Sequence, residues 1–169
     1  MDIISILLNF YENPAIYSLI FLIYVILAAV ILPIPVEIGL FNPNINPLLI
    51  VSIMGIGKGI GSLVVFKIGL KIRKGIKKRF TGSPFTKKMV KYCEDFVKKY
   101  GYIGLFIIMS TPLMIDSATL YLFSVLNARK KEGGRAMVQS HFIIINILAG
   151  ITRGSIILFL VYYAGVRLV

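Results

Sequence analysis

The chain has 169 residues, a net charge of +12 and a mean hydropathy of +0.87, with 57% hydrophobic and only 15% charged residues. Soluble domains carry about 45–50% apolar and about 25% charged residues, and a domain this small has too much surface to hide the excess. The composition therefore excludes an ordinary soluble domain and predicts an all-α integral membrane protein, with a single membrane domain over residues 1–169.

Residues 1–32 are predicted to form a short interfacial helix and a first span. Residues 1–13 mix apolar and polar side chains and end at Pro14, a pattern typical of a helix that lies in the membrane interface. Residues 16–32 are seventeen apolar or near-apolar positions, the lower limit for a helix that crosses a bilayer. Tyr11, Tyr17 and Tyr24 would give this span partial aromatic anchoring.

Residues 33–47 carry four prolines and three asparagines, too many interruptions for one spanning helix. In an aqueous loop their apolar side chains would be exposed to water, which is unfavourable. The pattern favours a re-entrant hairpin broken at Pro33 and Pro35, with Glu37 near the start of a half-helix. The alternative is an extracellular loop in which Glu37 is solvated.

Residues 48–70 are predicted to be a second span that is rich in glycine. Gly57 and Gly61 form one GxxxG spacing, and Gly55 and Gly59 form another. Small residues at this spacing let helix backbones approach closely, which serves packing within the chain and a homodimer equally well. Lys58 lies in the middle of the glycine cluster.

The segment 71–100 separates the first half of the chain, residues 1–70, from the second half, residues 101–169. Eleven lysines and arginines stand against two acids between residues 71 and 99, which predicts the cytoplasmic side and contact with anionic lipid headgroups. A turn at Pro84 and an amphipathic helix over residues 85–100 are expected on the inner membrane surface. There is no nucleic-acid motif in the run, so nucleic acid is not an expected partner.

The second half is predicted to contain another re-entrant hairpin and a long last span. Residues 101–126 are apolar, with Pro112 and Asp116 in the centre and basic residues on both flanks. Positive charge on both sides indicates that the segment enters and returns on the cytoplasmic side. Residues 136–166 then form a helix that carries four polar or small residues on one face: Gln139, Asn146, Gly150 and Arg153.

The charged residues deep in the apolar segments nearly balance, with Glu37 and Asp116 against Lys58 and Arg153. A carboxylate at bilayer depth costs roughly 2.5–3.5 kcal/mol on insertion scales, so it usually marks a site or a pathway. The hypothesis is that both hairpin tips meet near the midplane, where either acid could carry a proton and Arg153 could bind a phosphate headgroup. The alternative is a set of structural ion pairs, and Lys58 could simply snorkel.

Several motifs, in this order and at these spacings, are similar to those of the DedA family within the wider SNARE-associated, or VTT-domain, superfamily. They are LPIPVE at residues 32–37, GKGIGSLVVFKIG at 57–69, YGYIGLF at 100–106 followed by Pro112, and YYAG at 162–165. The family carries arginines three residues before and after the second-hairpin proline, where this chain has Met109 and Ile115. An aspartate of the family pattern is replaced by Ser62, and only Glu37 carries over among the charged residues.

The resemblance implies two inverted re-entrant hairpins in the cytoplasmic membrane and a role in moving lipids or lipid-linked phosphates across the bilayer, possible proton coupling included. Arg153 could replace the arginines absent at Met109 and Ile115. One histidine and one cysteine offer no recognisable metal site, no cofactor is expected, and no hydrolytic motif predicts an enzyme. The alternatives are a proton-coupled exporter of small amphipathic compounds and a non-transporting membrane scaffold.

Overall fold

The computed structural model describes residues 5, 7, 9–31, 35–79, 84–112, 115–127 and 137–162. Within these residues every regular element is helical, which confirms the predicted all-α class. The elements are α1 (Pro14–Val30), a 3₁₀ helix (Val36–Leu40), α2 (Pro47–Arg79), α3 (Pro84–Ser110), α4 (Asp116–Val125) and α5 (Gln139–Tyr162). Two helical stretches in the described part, Pro47–Ile72 and Gln139–Tyr162, are long and apolar enough to cross a membrane.

The first helix, α1, begins where the sequence supplies a start signal. Pro14 occupies its first turn, where a missing N–H is harmless, and the Asn13 side chain accepts a hydrogen bond from the Ile16 N–H at 3.3 Å. The helix ends at Val30 after 17 residues. Leu7, from the segment predicted to be an interfacial helix, is buried in the same core as Tyr17.

Helices α1 and α2 run side by side in the same direction. A Cβ built on Gly57 would lie 2.9 Å from Val25 Cβ, and one on Gly61 would lie 2.5 Å from Ala29 Cβ. An advance of four residues on one helix therefore matches an advance of four on the other. The chain leaving α1 must return to the starting end before α2 can begin.

The return segment, residues 35–46, runs back along α1. Its carbonyl groups accept hydrogen bonds from two tyrosines of α1: Tyr24 Oη donates to Pro35 O at 2.9 Å, and Tyr17 Oη donates to Gly39 O at 3.0 Å. The Asn42 side chain then donates to Tyr11 O at 3.0 Å, beyond the start of α1. Helix α1 and the return segment therefore form an antiparallel pair, which we call the first hairpin.

The two long helices, α2 and α5, are antiparallel and in close contact. A Cβ on Gly55 would lie 2.6 Å from Ile151 Cγ1, and one on Gly59 would lie 2.5 Å from Ile147 Cγ1. Since Gly57 and Gly61 face α1, both glycine spacings are used within the chain. Helix α2 therefore packs between α1 on one side and α5 on the other.

The second hairpin consists of the end of α3, a break, and α4. Gly101 interrupts α3 with φ 45° and ψ −119°, a conformation that only glycine adopts readily, at the predicted boundary between the amphipathic helix and the hairpin. The helix ends at Ser110 and the chain resumes as α4 at Asp116, so the break includes Pro112.

Both ends of this second hairpin lie beside the start of α5. Val138 N donates to Tyr102 Oη at 2.6 Å, and the Asn127 amide exchanges two hydrogen bonds with the Met137 backbone at 2.7 and 2.9 Å. The first hairpin, in contrast, has its ends beside the start of α2. Because α2 and α5 are antiparallel, the two hairpins approach this helix pair from opposite ends.

Candidate functional site

Glu37 lies in the 3₁₀ helix that follows the first break. Pro35, just before it, is extended at φ −69° and ψ 108°, which starts the short helix without a side-chain cap. Glu37 is buried at 5% exposure, and its Oε1 accepts a hydrogen bond from Arg153 Nη2. Pro33, the other predicted break residue, lies outside the described residues.

The position of Glu37 depends on the tyrosines of the N-terminal region. Tyr17 and Tyr24 are seven residues apart, so they share one face of α1, and they reach two carbonyls of the return segment that lie four residues apart. Tyr11 Oη adds a contact with Phe41 O at 3.4 Å. The sequence pattern predicts these tyrosines as interfacial anchors, and the seven-residue spacing of Tyr17 and Tyr24 is the one signal for their role beside the hairpin.

Asp116 is the first residue of α4 and faces the same point from the other hairpin. Ile115 before it is extended at φ −77° and ψ 104° and half exposed, whereas Asp116 is 7% exposed. Its Oδ1 lies 2.7 Å from Arg153 Nη1, and its Oδ2 lies 3.1 Å from Lys58 Nζ. One carboxylate is therefore shared by a guanidinium and an ammonium group.

Lys58 and Arg153 are supplied by the facing surfaces of α2 and α5. Their side chains are 0% and 2% exposed, so neither charge reaches solvent. A Cβ at Gly150 would lie 3.0 Å from Lys58 Cδ and 3.0 Å from Gly55 Cα. Gly150 thus gives the lysine stem room to pass α5 and bring its ammonium group to Asp116.

We name Glu37, Lys58, Asp116 and Arg153 the charge tetrad. Arg153 contacts the acids of both hairpins, so it links segments that enter from opposite ends of the fold. The formal charges sum to zero, which satisfies the requirement that buried ions be paired. All four residues that the sequence singled out as a deep charge cluster are therefore in one contact network, and removing any one would leave another buried charge uncompensated.

Apolar clusters close the tetrad on both sides along α2 and α5. Toward one end lie Met54 and Ile157, in the core shared with α1, and toward the other end the Phe66 and Phe142 rings are 5.0 Å apart. Between the tetrad and these phenylalanines, Ser62 and Asn146 are buried, and the Asn146 amide donates to Phe142 O at 2.7 Å.

The remaining predicted residues occupy varied surroundings. Met109 is buried in the core and Ile115 is half exposed, at the two positions where the resembled family carries arginines. The basic segment continues α2 to Arg79 and begins α3 at Pro84. Among the residues that the structure describes, no group of three or more histidine, cysteine, aspartate or glutamate side chains is arranged to hold a metal ion.

Comparison of the chain with protein-family models, with curated proteins and with solved structures gives no match in any of the three.

Proposed function

We propose that this protein is a multi-pass membrane transporter that moves lipids or lipid-linked phosphates between the leaflets, with the charge tetrad as its substrate and proton site. The observation that carries the proposal is Arg153, which bridges Glu37 of one broken segment and Asp116 of the other. A soluble fold gains little from burying four charges, because an ion pair of this kind is often no more stabilising than well-packed apolar residues. Retaining it suits a function that uses the charges.

The membrane location is supported by the apolar surface of the helices. Exposed aliphatic and aromatic residues cover the outward faces of the helices, and soluble proteins rarely expose contiguous apolar area on this scale. They include Leu19 and Ile23 on α1, Ile56 and Ile60 on α2, Ile103 and Ile107 on α3, and Ile144, Leu148 and Phe159 on α5. The hydropathies of 2.0 and 2.1 for the spanning stretches of α2 and α5 agree with this location.

In a membrane, both hairpins would be re-entrant. Non-helical backbone at bilayer depth is tolerated where protein covers it or water reaches it, and here the 3₁₀ helix that follows the first break packs against α1, α2 and α5. The end of α2 that leads into the basic segment 71–99 would face the cytoplasm under the positive-inside rule, and its lysines would contact anionic headgroups.

The tetrad supplies the chemistry for an anionic headgroup. Arg153 offers a planar fork of donors and Lys58 a compact positive charge, the two groups that bind phosphate in proteins. Glu37 and Asp116 neutralise them while the site is closed. A change in the charge of either carboxylate would release a cation to the substrate, which gives proton coupling a physical route.

The test is lipid transfer by the full-length chain in liposomes, followed by dithionite quenching of a labelled phospholipid. Transfer should exceed that of protein-free liposomes, and Glu37→Gln should slow it by about tenfold or more, the factor that roughly 1.4 kcal/mol of barrier produces. Glu12→Gln is the matched control, because Glu12 is exposed. Unchanged transfer in Glu37→Gln would refute the role of the tetrad, and no transfer by the unaltered chain would refute the transport function.

A further inference from the structure

We propose that the Asp116 carboxylate is a built-in substitute for the cargo anion: it occupies the Arg153–Lys58 pair in the closed site, and a phosphate group must displace it to bind. This inference rests on the proposed anionic cargo and adds how the site holds and releases that cargo. The carboxylate has one oxygen 2.7 Å from Arg153 Nη1 and the other 3.1 Å from Lys58 Nζ. Each of the two cations contacts one oxygen of the same anion, and this arrangement also suits a phosphate monoester.

The charge balance requires the displacement. With both acids in place, the tetrad is neutral, so a phosphate entering beside them would add an unpaired negative charge at a site that is almost completely buried. Such a charge is strongly disfavoured away from water. If Asp116 leaves as a singly charged phosphate arrives, Arg153 and Lys58 exchange one monoanion for another and the site stays neutral. Glu37 keeps its own contact with Arg153 throughout.

The fold makes Asp116, and not the cations, the part that moves. Lys58 and Arg153 lie within long helices whose backbones meet at Gly55 and Gly150. Asp116 instead follows a break in the chain, and Ile115 beside it is 52% exposed.

The two hairpins also differ in the hydrogen bonds made by the residues around their breaks. The return segment of the first hairpin, which carries Glu37, is held to α1 by the hydroxyls of Tyr17 and Tyr24. Two threonines around the second break instead donate hydrogen bonds within their own hairpin: Thr111 Oγ1 donates to Ile107 O, and Thr119 Oγ1 donates to Ile115 O. The Ser110 hydroxyl, at the same break, is buried without a hydrogen-bond partner among the described residues. This hydroxyl therefore does not hold the second break to the neighbouring helices.

The first experiment measures phosphate binding to the full-length chain in detergent by calorimetry. Asp116→Asn keeps the shape of the side chain and removes the competing charge, so it should bind inorganic phosphate at least about tenfold more tightly than the unaltered chain. Asp95→Asn, at an exposed aspartate of α3, should leave the affinity unchanged. Adding Arg153→Gln to Asp116→Asn should remove the gain. Equal affinities of Asp116→Asn and Asp95→Asn would overturn the proposal.

A second experiment keeps all four charges and so does not depend on the folding of an altered tetrad. Spin labels at Ile115→Cys and Ile156→Cys, in a Cys93→Ser background, join the second hairpin to α5 at two exposed positions. Saturating phosphate should change the distance distribution between the labels, and equal ionic strength of chloride should not. An unchanged distribution with phosphate would refute the displacement of Asp116.

Two further arms identify the source of the anion. If short-chain phosphatidic acid changes the label distances at lower concentration than inorganic phosphate, and phosphatidylcholine does not, the anion is a lipid phosphate monoester. If inorganic phosphate alone acts, the displacement mechanism stands and the lipid cargo of the proposed function falls. If neither acts, the displacement mechanism falls, whatever the liposome assay shows.

Discussion

Replacing Arg153 by methionine tests the central physical claim, that one buried guanidinium neutralises carboxylates from two hairpins. The variant keeps most of the side-chain volume but leaves Glu37 and Asp116 with Lys58 as the remaining cation of the tetrad. Since Lys58 Nζ is 3.1 Å from Asp116 Oδ2, Asp116 keeps a cationic partner, and Glu37 loses more of its electrostatic stabilisation than Asp116 does. Removing one partner of a buried pair typically costs about 3–5 kcal/mol, and we expect the free energy of unfolding to fall by an amount in this range.

The measurement is unfolding of the full-length chain in mixed micelles by SDS titration, followed by far-ultraviolet circular dichroism. Lys67→Met is the matched control, because Lys67 is an exposed cation on α2, and it should change stability little. The double variant Arg153→Met/Glu37→Gln restores neutrality and should recover at least about 1 kcal/mol, since residues in one ion-pair network couple by roughly 0.5–3 kcal/mol. A loss in Arg153→Met no larger than in Lys67→Met, or double-variant effects that simply add, would refute the reasoning.

Two further substitutions probe how the site is assembled. Gly150→Ala should lower the free energy of unfolding by about 1–3 kcal/mol. The new methyl group would lie 3.0 Å from both Gly55 Cα and Lys58 Cδ, and Gly55 Cα is rigid backbone. The same SDS titration measures the effect, and an unchanged midpoint would contradict the close approach of α2 and α5. Tyr24→Phe should lower the free energy of unfolding by about 1 kcal/mol, because it removes the hydrogen bond to Pro35 O. Tyr92→Phe, at a tyrosine that is 79% exposed, should not change the free energy of unfolding measurably in the same titration.

Proline acts locally, so the sequence alone predicts interruptions near Pro35 and Pro112. In the structure Pro35, at φ −69°, precedes the 3₁₀ helix, and α3 ends at Ser110, two residues before Pro112. The basic flanks of residues 101–126 predict that this segment enters a membrane and returns. In the structure Tyr102 and Asn127 both bond beside the start of α5, while entry into a membrane stays a prediction.

The course of the first hairpin was not accessible in the same way. Seventeen largely apolar residues satisfy the length of a spanning helix and of a hairpin limb alike. The parallel placement of α1 beside α2 depends on Gly57 and Gly61 packing against Val25 and Ala29. These residues are more than thirty positions apart, so their pairing leaves no local pattern in the sequence. The tyrosine bonds to the return segment depend on the same placement.

The sequence by itself determined the helical class, the deep charges and their near balance, because composition and transfer free energy are properties of residue types. Tertiary structure alone decided which charges touch. Asp116 is shared by Lys58 and Arg153 only because two antiparallel helices meet at glycines and two broken segments arrive from opposite ends. An ion pair needs its nitrogen and oxygen atoms within about 4 Å of each other, so it is set by packing and not by order along the chain.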